Sequence, residues 1–175
     1  MPVYVALLRA INVGGTGKLP MADLKVVCEG LGFTDVKTYT QSGNVLFRSA
    51  LSETEVQKRL EDALAKRMGN APGVILRSRS ELRKVVDQAP FADAKPNFLL
   101  VTFLPEQPPA DALDKLVAPD GEEVQISGRE IYIHFPNGSG KSKLKLPALK
   151  PGTARNLNTV RKLAELAAEL EDSRA

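Results

Sequence analysis

Residues 135–142 contain two glycines and a lysine in an order close to that of a phosphate-binding loop: Phe-Pro-Asn-Gly-Ser-Gly-Lys-Ser. A Walker A motif needs glycine where Phe135 stands and a long helix after the serine, which Pro147 would break. We therefore do not expect the P-loop of an NTPase. Closely spaced glycines still let backbone N–H groups converge on an anion, and Lys141 and Lys143 add positive charge. The alternative is a flexible glycine hairpin with solvated lysines.

A second glycine-rich segment, residues 9–18, follows a predicted buried strand and precedes a predicted helix. This order favours an anion near the helix N-terminus, with Arg9, Asn12, Gly14 and Gly15 as candidates to bind it. The glycine spacing does not fit the dinucleotide-binding fingerprint. Arg9 directly follows a buried run, so its guanidinium must reach solvent, a carboxylate or a ligand. The alternative is a structural ion pair or a clamp on backbone carbonyls.

Two polar residues, Gln41 and Ser42, fall between predicted strands at 36–40 and 44–48, and a third, Asn44, begins the second strand. Side-chain amides both donate and accept hydrogen bonds, which suits ligand recognition. The same residue types are also typical of a hairpin turn, and that alternative stays open.

Arg155, Asn156 and Asn158 open the predicted last helix, which runs to about residue 170. Either asparagine can cap it. A cation at a helix N-terminus opposes the helix dipole, and an incoming anion would resolve that conflict for Arg155.

The formal net charge is +3, and the basic residues are concentrated. Seven lysines and arginines lie between residues 137 and 162 without any acid, and Arg9 and Lys18 lie in an acid-free stretch of the first 22 residues. Such fields recruit phosphates, nucleic acid or carboxylates, although a solvated lysine-rich loop has the same composition. If the candidates build one site, their four segments must meet in a cleft with few acids nearby.

The composition excludes several kinds of site. One cysteine, Cys28, and one histidine, His134, exclude an intrachain disulfide, a multi-cysteine zinc site and a two-histidine metal site. We predict no metal and no cofactor. No apolar run approaches the roughly 18 residues that cross a bilayer, and the N-terminus lacks the features of a signal peptide. We therefore expect a cytoplasmic protein without a membrane partner; its oligomeric state is not set by the sequence.

Three further expectations concern single side chains. Cys28 lies on the apolar stripe of its helix and is expected to be buried. Tyr132 and His134 share one face of a predicted strand and, if that face is open, could stack on bases. The acids expected to be solvated at a turn are Asp120, Glu122 and Glu123.

Hydrophobic periodicity predicts two similar halves. The first reads strand, helix, strand, strand, helix, strand, which is the ferredoxin-like split βαβ order. A capping box of Ser52 and Glu55 opens its second helix. The second half reads strand at 97–104, helix at 110–117, hairpin at 123–135, basic loop and last helix. No residue-level repeat is evident, so the duplication is one of pattern.

The fold class predicted is α+β, with two ferredoxin-like (βαββαβ-type) halves sharing a core. We expect a shared core because each half is too small to be stable alone. The first half spans residues 1–87, a connection spans 88–96, and the second half spans 97–175 with the basic loop and C-terminal helix.

Six stretches carry a resemblance across nearly the whole chain: residues 7–15, 21–24, 31–33, 38–45, 136–144 and 153–160. They resemble a bacterial family of unknown function, the domain of unknown function numbered sixteen ninety-seven. The resemblance implies an α+β fold of two ferredoxin-like halves and no established activity. The chain departs from the family pattern at Ala10, usually glycine, at Lys141, often arginine, and at Leu157, usually tryptophan. The polar residues of the family motifs fall on predicted loops, which points to a site more than to packing.

Three functions remain open. The leading hypothesis is a protein that binds a phosphate-bearing ligand, a nucleotide or nucleic acid, in a loop-lined basic cleft. The second is an enzyme acting on a phosphorylated small molecule or metabolite, with Ser42 or Ser142 and the cations stabilising the transition state. The third is an interaction scaffold without a small-molecule site. The predicted ligand-binding residues are Arg9, Asn12, Gly14, Gly15, Gln41, Ser42, Asn44, Lys141, Ser142, Lys143, Arg155, Asn156 and Asn158.

Overall fold

The computed structural model describes residues 1–9, 19–40, 43–69, 72–91 and 93–173. The chain divides into two compact units: unit 1 is Met1–Leu82 with Leu163–Ala175, and unit 2 is Arg83–Lys162. The predicted domain boundaries, which assign the whole C-terminal helix to the second half, stay a prediction. Within the described residues, no helix is both long and apolar enough to cross a bilayer.

Unit 1 contains a four-stranded antiparallel sheet in the order β2-β3-β1-β4. Its helices and strands are β1 Val3–Leu8, α1 Met21–Gly30, β2 Thr34–Tyr39, β3 Asn44–Arg48, α2 Glu53–Met68 and β4 Val74–Ser78, followed by α3 Arg79–Asp87, which extends into unit 2. This strand order is that of the split βαβ arrangement, as the sequence predicts. Tyr39 pairs with Asn44 in register, so the predicted antiparallel pairing of the strands around this turn is confirmed.

Helix α2 shows how the local sequence sets an element. The Glu55 N–H donates to Ser52 Oγ at 3.3 Å, which forms the predicted N-cap. Gly69 ends the helix with φ +86°, a left-handed conformation that glycine adopts without strain. The stripe of Val56, Leu60 and Leu64 is fully buried in the core of unit 1, because these residues recur at helical spacing on one face.

Unit 2 contains a second antiparallel sheet with the corresponding strand order, β6-β7-β5-β8. Its elements are β5 Leu99–Phe103, β6 Glu123–Ser127, β7 Glu130–His134, β8 Thr153–Asn156 and α4 Leu157–Asp172, which extends into unit 1. The α+β class with two halves is confirmed, as is the hairpin of β6 and β7. One face of this sheet packs into an apolar cluster that includes Leu104, Ile131, Ile133, Phe135 and Leu146.

The predicted helix at 110–117 is wrong: only a 3-10 turn, Ala112–Lys115, forms there. Leu113 is 40% exposed and Val117 is 50% exposed, so the segment has no buried stripe to stabilise a helix by packing. Val117 instead forms a backbone bridge with Lys145. The connection between β7 and β8 also has no α-helix; it contains a 3-10 turn at Pro147–Leu149.

The strand β8 was not predicted, and it changes the place of Arg155. This residue lies in β8 opposite Val101 of β5, not at a helix N-terminus. Helix α4 begins at Leu157, and the Thr159 N–H donates to Asn156 Oδ1 at 2.9 Å. Asn156 is therefore the confirmed cap. The four residues of β8 are too few, and too polar, to show strand periodicity in the sequence.

A buried arginine occupies corresponding positions in the two sheets. Arg77 of β4 lies opposite Val5 of β1, as Arg155 of β8 lies opposite Val101 of β5. In both arginines, Nη1 donates to the carbonyl oxygen of the preceding residue at 2.9 Å. The two halves therefore correspond at the level of individual residues, Arg77 and Arg155, and the sequence alone did not indicate this correspondence.

Candidate functional site

A cleft of about 320 Å³ in unit 2 lies between the glycine-rich segment of residues 135–142 and the turn before β6. This segment is called the glycine-rich segment below. One side of the cleft consists of residues that follow β7. The other side is the turn before β6, which contributes the carboxylates of Asp120 and Glu122. The lining residues are Asp120, Glu122, Phe135, Pro136, Asn137, Gly138, Lys141, Ser142 and Lys143.

Backbone hydrogen bonds fix the start of the glycine-rich segment. The Phe135 N–H donates to the Phe98 carbonyl at 2.8 Å, and the Gly138 N–H donates to the Phe135 carbonyl at 2.9 Å. Gly138 has φ +83°, and a Cβ there would lie 3.6 Å from the Phe98 ring. Glycine is required by the left-handed backbone at this position, not by lack of space.

Ser142 connects the two sides of the cleft. Its Oγ lies 2.9 Å from Glu122 Oε2, and an ionised carboxylate can only accept, so the hydroxyl donates. The same Oγ accepts from the Leu144 N–H at 3.1 Å, and the Ser142 N–H donates to the Ser139 carbonyl at 3.2 Å. Ser142 therefore orients Glu122 and holds the end of the glycine-rich segment against it.

Glu122 is not solvated, which corrects the expectation for the acidic turn. Its exposed fraction is 8%, and its Oε1 accepts from the Asp120 N–H at 2.7 Å. Burial alone would raise the pKa of Glu122. The hydrogen bonds from Ser142, from the Asp120 N–H and from its own N–H outweigh burial and lower that pKa below its ordinary value. Glu122 is therefore an ionised acceptor at neutral pH.

Glu123 and Asp120 keep exposed positions, as expected. Glu123 Oε1 lies 3.6 Å from His134 Nδ1, and the His134 ring centroid lies 6.0 Å from that of Phe91. Tyr132 is only 1% exposed, and its hydroxyl donates to the Val85 carbonyl at 2.9 Å. Burial raises the pKa of Tyr132 to about 12. Because Tyr132 is buried, its ring is not available to stack on a base.

The cleft contains three of the predicted ligand-binding residues: Lys141, Ser142 and Lys143. Both lysines are exposed, so their ammonium groups can reach a ligand at the mouth of the cleft. Sequence reasoning missed Asp120 and Glu122, because an acidic turn has no spacing that distinguishes a buried carboxylate from a solvated one. The expectation of few acids nearby does not hold for this cleft.

The other predicted residues of unit 2 do not line the cleft. Arg155 is buried in β8, where Nη1 donates to Thr153 Oγ1 at 2.6 Å. Burial lowers the pKa of Arg155 to about 10, so it stays protonated at neutral pH. Asn156 caps α4, and Asn158 is exposed in its first turn. Ligand binding by these three residues stays a prediction.

Two predicted residues belong to the described part of unit 1. Asn44 is fully buried, and its Nδ2 donates to the Tyr39 carbonyl and to Thr40 Oγ1, both at 2.9 Å. These bonds agree with the turn alternative for Asn44. The Arg9 N–H donates to the Gly73 carbonyl at 2.9 Å, and the Arg9 side chain lies against Gly73 so closely that a Cβ would meet Arg9 Cδ at 2.8 Å.

Five predicted residues lie outside the described residues: Asn12, Gly14, Gly15, Gln41 and Ser42. The meeting of all four predicted segments in one cleft therefore stays a prediction.

A second cavity in unit 2, of about 460 Å³, is lined mainly by prolines. Its residues are Leu104, Pro105, Glu106, Gln107, Pro108, Pro109, Pro147, Ala148 and Pro151. Glu106 is the one charged side chain in this set, so the cavity offers little chemistry for binding an anion.

The fold defines a class of α+β proteins with two four-stranded antiparallel sheets of matching strand order. Within that class, the chain belongs to the family described as "Protein of unknown function (DUF1697)", whose model matches residues 1–132. That match ends within β7, before the glycine-rich segment.

A solved structure shares the fold over almost the full length of both chains. It is that of the conserved bacterial protein SP0830 from Streptococcus pneumoniae, with a TM-score of 0.78 and 25% sequence identity. The alignment covers 95% of this chain and 98% of that chain. No curated protein matches the chain.

Proposed function

We propose that the protein binds a phosphate-bearing small molecule in the unit 2 cleft. The observation that carries the proposal is that Lys141, Lys143 and Gly138 line one cavity of about 320 Å³. Lysine ammonium groups bind phosphate as mobile point charges. A left-handed glycine is a component of the backbone nests that hold anions. The Gly138 N–H itself already donates to the Phe135 carbonyl, so the backbone part of such a nest falls to neighbouring N–H groups.

One side of the cleft is positive. The glycine-rich side contributes Lys141 and Lys143 from the acid-free stretch 137–162, which attracts an anionic group to that side, although the two carboxylates opposite make the formal charge of the lining zero. The carboxylates that line the cleft come from the turn at 120–122, and the Glu122 carboxylate already accepts hydrogen bonds from Ser142 and the Asp120 N–H.

The size of the cavity favours a small molecule over a nucleic acid. A volume of about 320 Å³ lies at the lower end of the range for small-molecule pockets, roughly 300–1,000 Å³. Nucleic-acid interfaces are extended surfaces of at least about 600 Å² per module.

The Ser142–Glu122 pair supports binding rather than serine-based catalysis. A base that activates a serine works best with a pKa near the operating pH. Hydrogen bonds lower the pKa of Glu122, so it is a weak base, and Ser142 is better suited to positioning than to attack.

Calorimetric titration with inorganic pyrophosphate tests the proposal. We expect binding to the wild-type chain, and Lys141→Ala and Lys143→Ala should each weaken it about tenfold, since a charge-assisted hydrogen bond contributes about 1.5–3 kcal/mol. Lys145→Ala is the matched control, because Lys145 is exposed in the same acid-free stretch but does not line the cleft.

Equal affinity in all four proteins would contradict the proposal. Tight binding of a single-stranded oligonucleotide with a steep loss of affinity in salt would instead support the nucleic-acid alternative.

The proposal includes a cytoplasmic location in a bacterium. Cys28 is free and buried, which fits a reducing compartment. Recovery of the protein in the membrane or secreted fraction of cells that express it would contradict this part.

A further inference from the structure

We infer that the ligand of the unit 2 cleft is a phosphomonoester of a polyhydroxylated carbon skeleton, such as a sugar phosphate or a nucleotide, and that Glu122 accepts a hydrogen bond from one of its hydroxyl groups. This inference rests on the proposed function, because it assigns the part of the ligand that does not contact the lysines.

The first argument is the acceptor capacity of Glu122. Two carboxylate oxygens offer about four lone-pair sites. The protein supplies the Asp120 N–H to Oε1 and the Ser142 hydroxyl to Oε2, at 2.7 and 2.9 Å. The Glu122 N–H also donates to the carboxylate, so about one of the four sites is left. Because Glu122 also lines the cleft, its remaining capacity is available to a ligand with donors.

The second argument is charge. An ionised carboxylate beside an anion site repels a bare phosphate, and the repulsion is strong where water is partly excluded. A ligand that brings hydroxyl donors between its phosphate and Glu122 turns this repulsion into hydrogen bonding. A buried carboxylate thus selects against inorganic phosphate and for a hydroxylated ester.

The third argument is the orientation of Ser142. Its one hydroxyl proton is directed at Glu122, so the serine does not donate to the phosphate while this bond is made. The phosphate is left to Lys141, Lys143 and the backbone, and Glu122 is held in one orientation toward the cleft. The two lysines also disfavour a ligand with an ammonium group, since like charges would then meet.

The experiment compares four probes on the full chain by calorimetry: inorganic phosphate, methyl phosphate, ribose 5-phosphate and phosphoethanolamine. We expect ribose 5-phosphate to bind about tenfold more tightly than methyl phosphate, as for one hydrogen bond to a charged group. Adenosine monophosphate is a fifth probe that distinguishes a nucleotide from a free sugar phosphate.

The variant Glu122→Gln should abolish the preference for ribose 5-phosphate without weakening methyl phosphate. The amide oxygen can accept from the Asp120 N–H while the amide nitrogen donates to Ser142 Oγ, whose hydroxyl proton then turns away. Thermal unfolding of the variant checks that the local structure is kept. Glu123→Gln is the matched control: the neighbouring carboxylate has a side chain that is 62% exposed and does not line the cleft.

The outcomes separate this inference from the proposed function. If no phosphate-bearing probe binds, the proposed function itself fails. If methyl phosphate binds as tightly as ribose 5-phosphate, or phosphoethanolamine binds most tightly, the anion site stands and the hydroxylated ligand is overturned. The comparison among probes uses the wild-type chain, so it stays decisive even if Glu122→Gln does not fold.

Discussion

Ser142 Oγ donates to Glu122 Oε2 across the unit 2 cleft at 2.9 Å. This bond joins a residue of the glycine-rich segment to a residue 20 positions earlier in the chain. It keeps Glu122 ionised and oriented, and it uses the hydroxyl proton that a phosphate-binding loop would direct at its ligand. The cleft therefore has a cationic side and an acceptor side, and each has a separate part in binding.

Ser142→Ala should raise the pKa of Glu122 toward its ordinary value of 4.5, because a hydrogen bond to the charged form is lost. Carbon-detected NMR titration of the glutamate carboxyl groups measures this directly. Ser139→Ala is the control, since Ser139 contributes only its backbone carbonyl to this region. An unchanged Glu122 pKa in Ser142→Ala would contradict the assigned bond.

The same bond gives a pH dependence of stability. The folded pKa of Glu122 lies below its unfolded value, so the unfolded chain takes up this proton first as the pH falls. The contribution to stability is present above about pH 4.5 and is lost as the pH falls through the folded pKa. The difference in unfolding free energy between wild type and Ser142→Ala should therefore shrink in acid; a difference that grows in acid would refute this.

Gly152→Ala should destabilise unit 2 by about 1–3 kcal/mol, as a Cβ forced into a packed core does. That Cβ would lie 2.6 Å from Thr102 Cγ2 and 2.7 Å from the Phe103 carbonyl oxygen, which is backbone and cannot turn aside. Urea denaturation measures the effect. Gly140→Ala is the control, because nothing lies within 4 Å of its added Cβ; equal losses in the two variants would contradict the packing described.

Arg155→Ala should destabilise the protein by about 2–4 kcal/mol. The substitution leaves a cavity at a buried position, and it removes the guanidinium that donates to Thr153 Oγ1 and to the Ala154 carbonyl. Arg161→Ala, an exposed arginine in the same acid-free stretch, should change stability by less than about 0.5 kcal/mol. Denaturant unfolding of both variants decides this. If Arg155→Ala were as stable as wild type, the arginine would have no structural role.

Cys28 should react with a thiol reagent more than about a hundredfold more slowly in the native protein than in denaturant. The side chain is fully buried, and burial raises its pKa to about 12, so little thiolate exists at pH 8. The reaction rates in the native protein and in denaturant can both be measured by following the absorbance released from an aromatic disulfide reagent. Similar rates in the native and unfolded chain would show that Cys28 is accessible.

The first half of the fold was predictable because its signals are local. Ser52 and Gly69 delimit α2, and the buried stripe between them has a period that the sequence displays. The second half was less predictable. The connections from β5 to β6 and from β7 to β8 contain 3-10 turns, at Ala112–Lys115 and Pro147–Leu149, and their prolines and exposed apolar residues show no helical periodicity in the sequence.

The candidate site was predictable on one side only. Lys141, Ser142 and Lys143 were identified from glycine spacing and charge, which are visible in a short window. Glu122 was not, because its burial depends on contact with a serine that only the folded chain brings near. Arg155 was assigned to a helix terminus, because a four-residue edge strand beside β5 has no signal of its own.

The most direct test of the central claim is a two-dimensional ¹⁵N–¹H NMR titration of the wild-type chain with ribose 5-phosphate. Binding in the cleft should shift the amide signals of the glycine-rich segment first, above all Gly138, Gly140 and Lys141, and Lys141→Ala with Lys143→Ala should suppress those shifts. Amide shifts confined to other parts of the chain, or the same shifts in the double variant, would contradict an anion site in the unit 2 cleft.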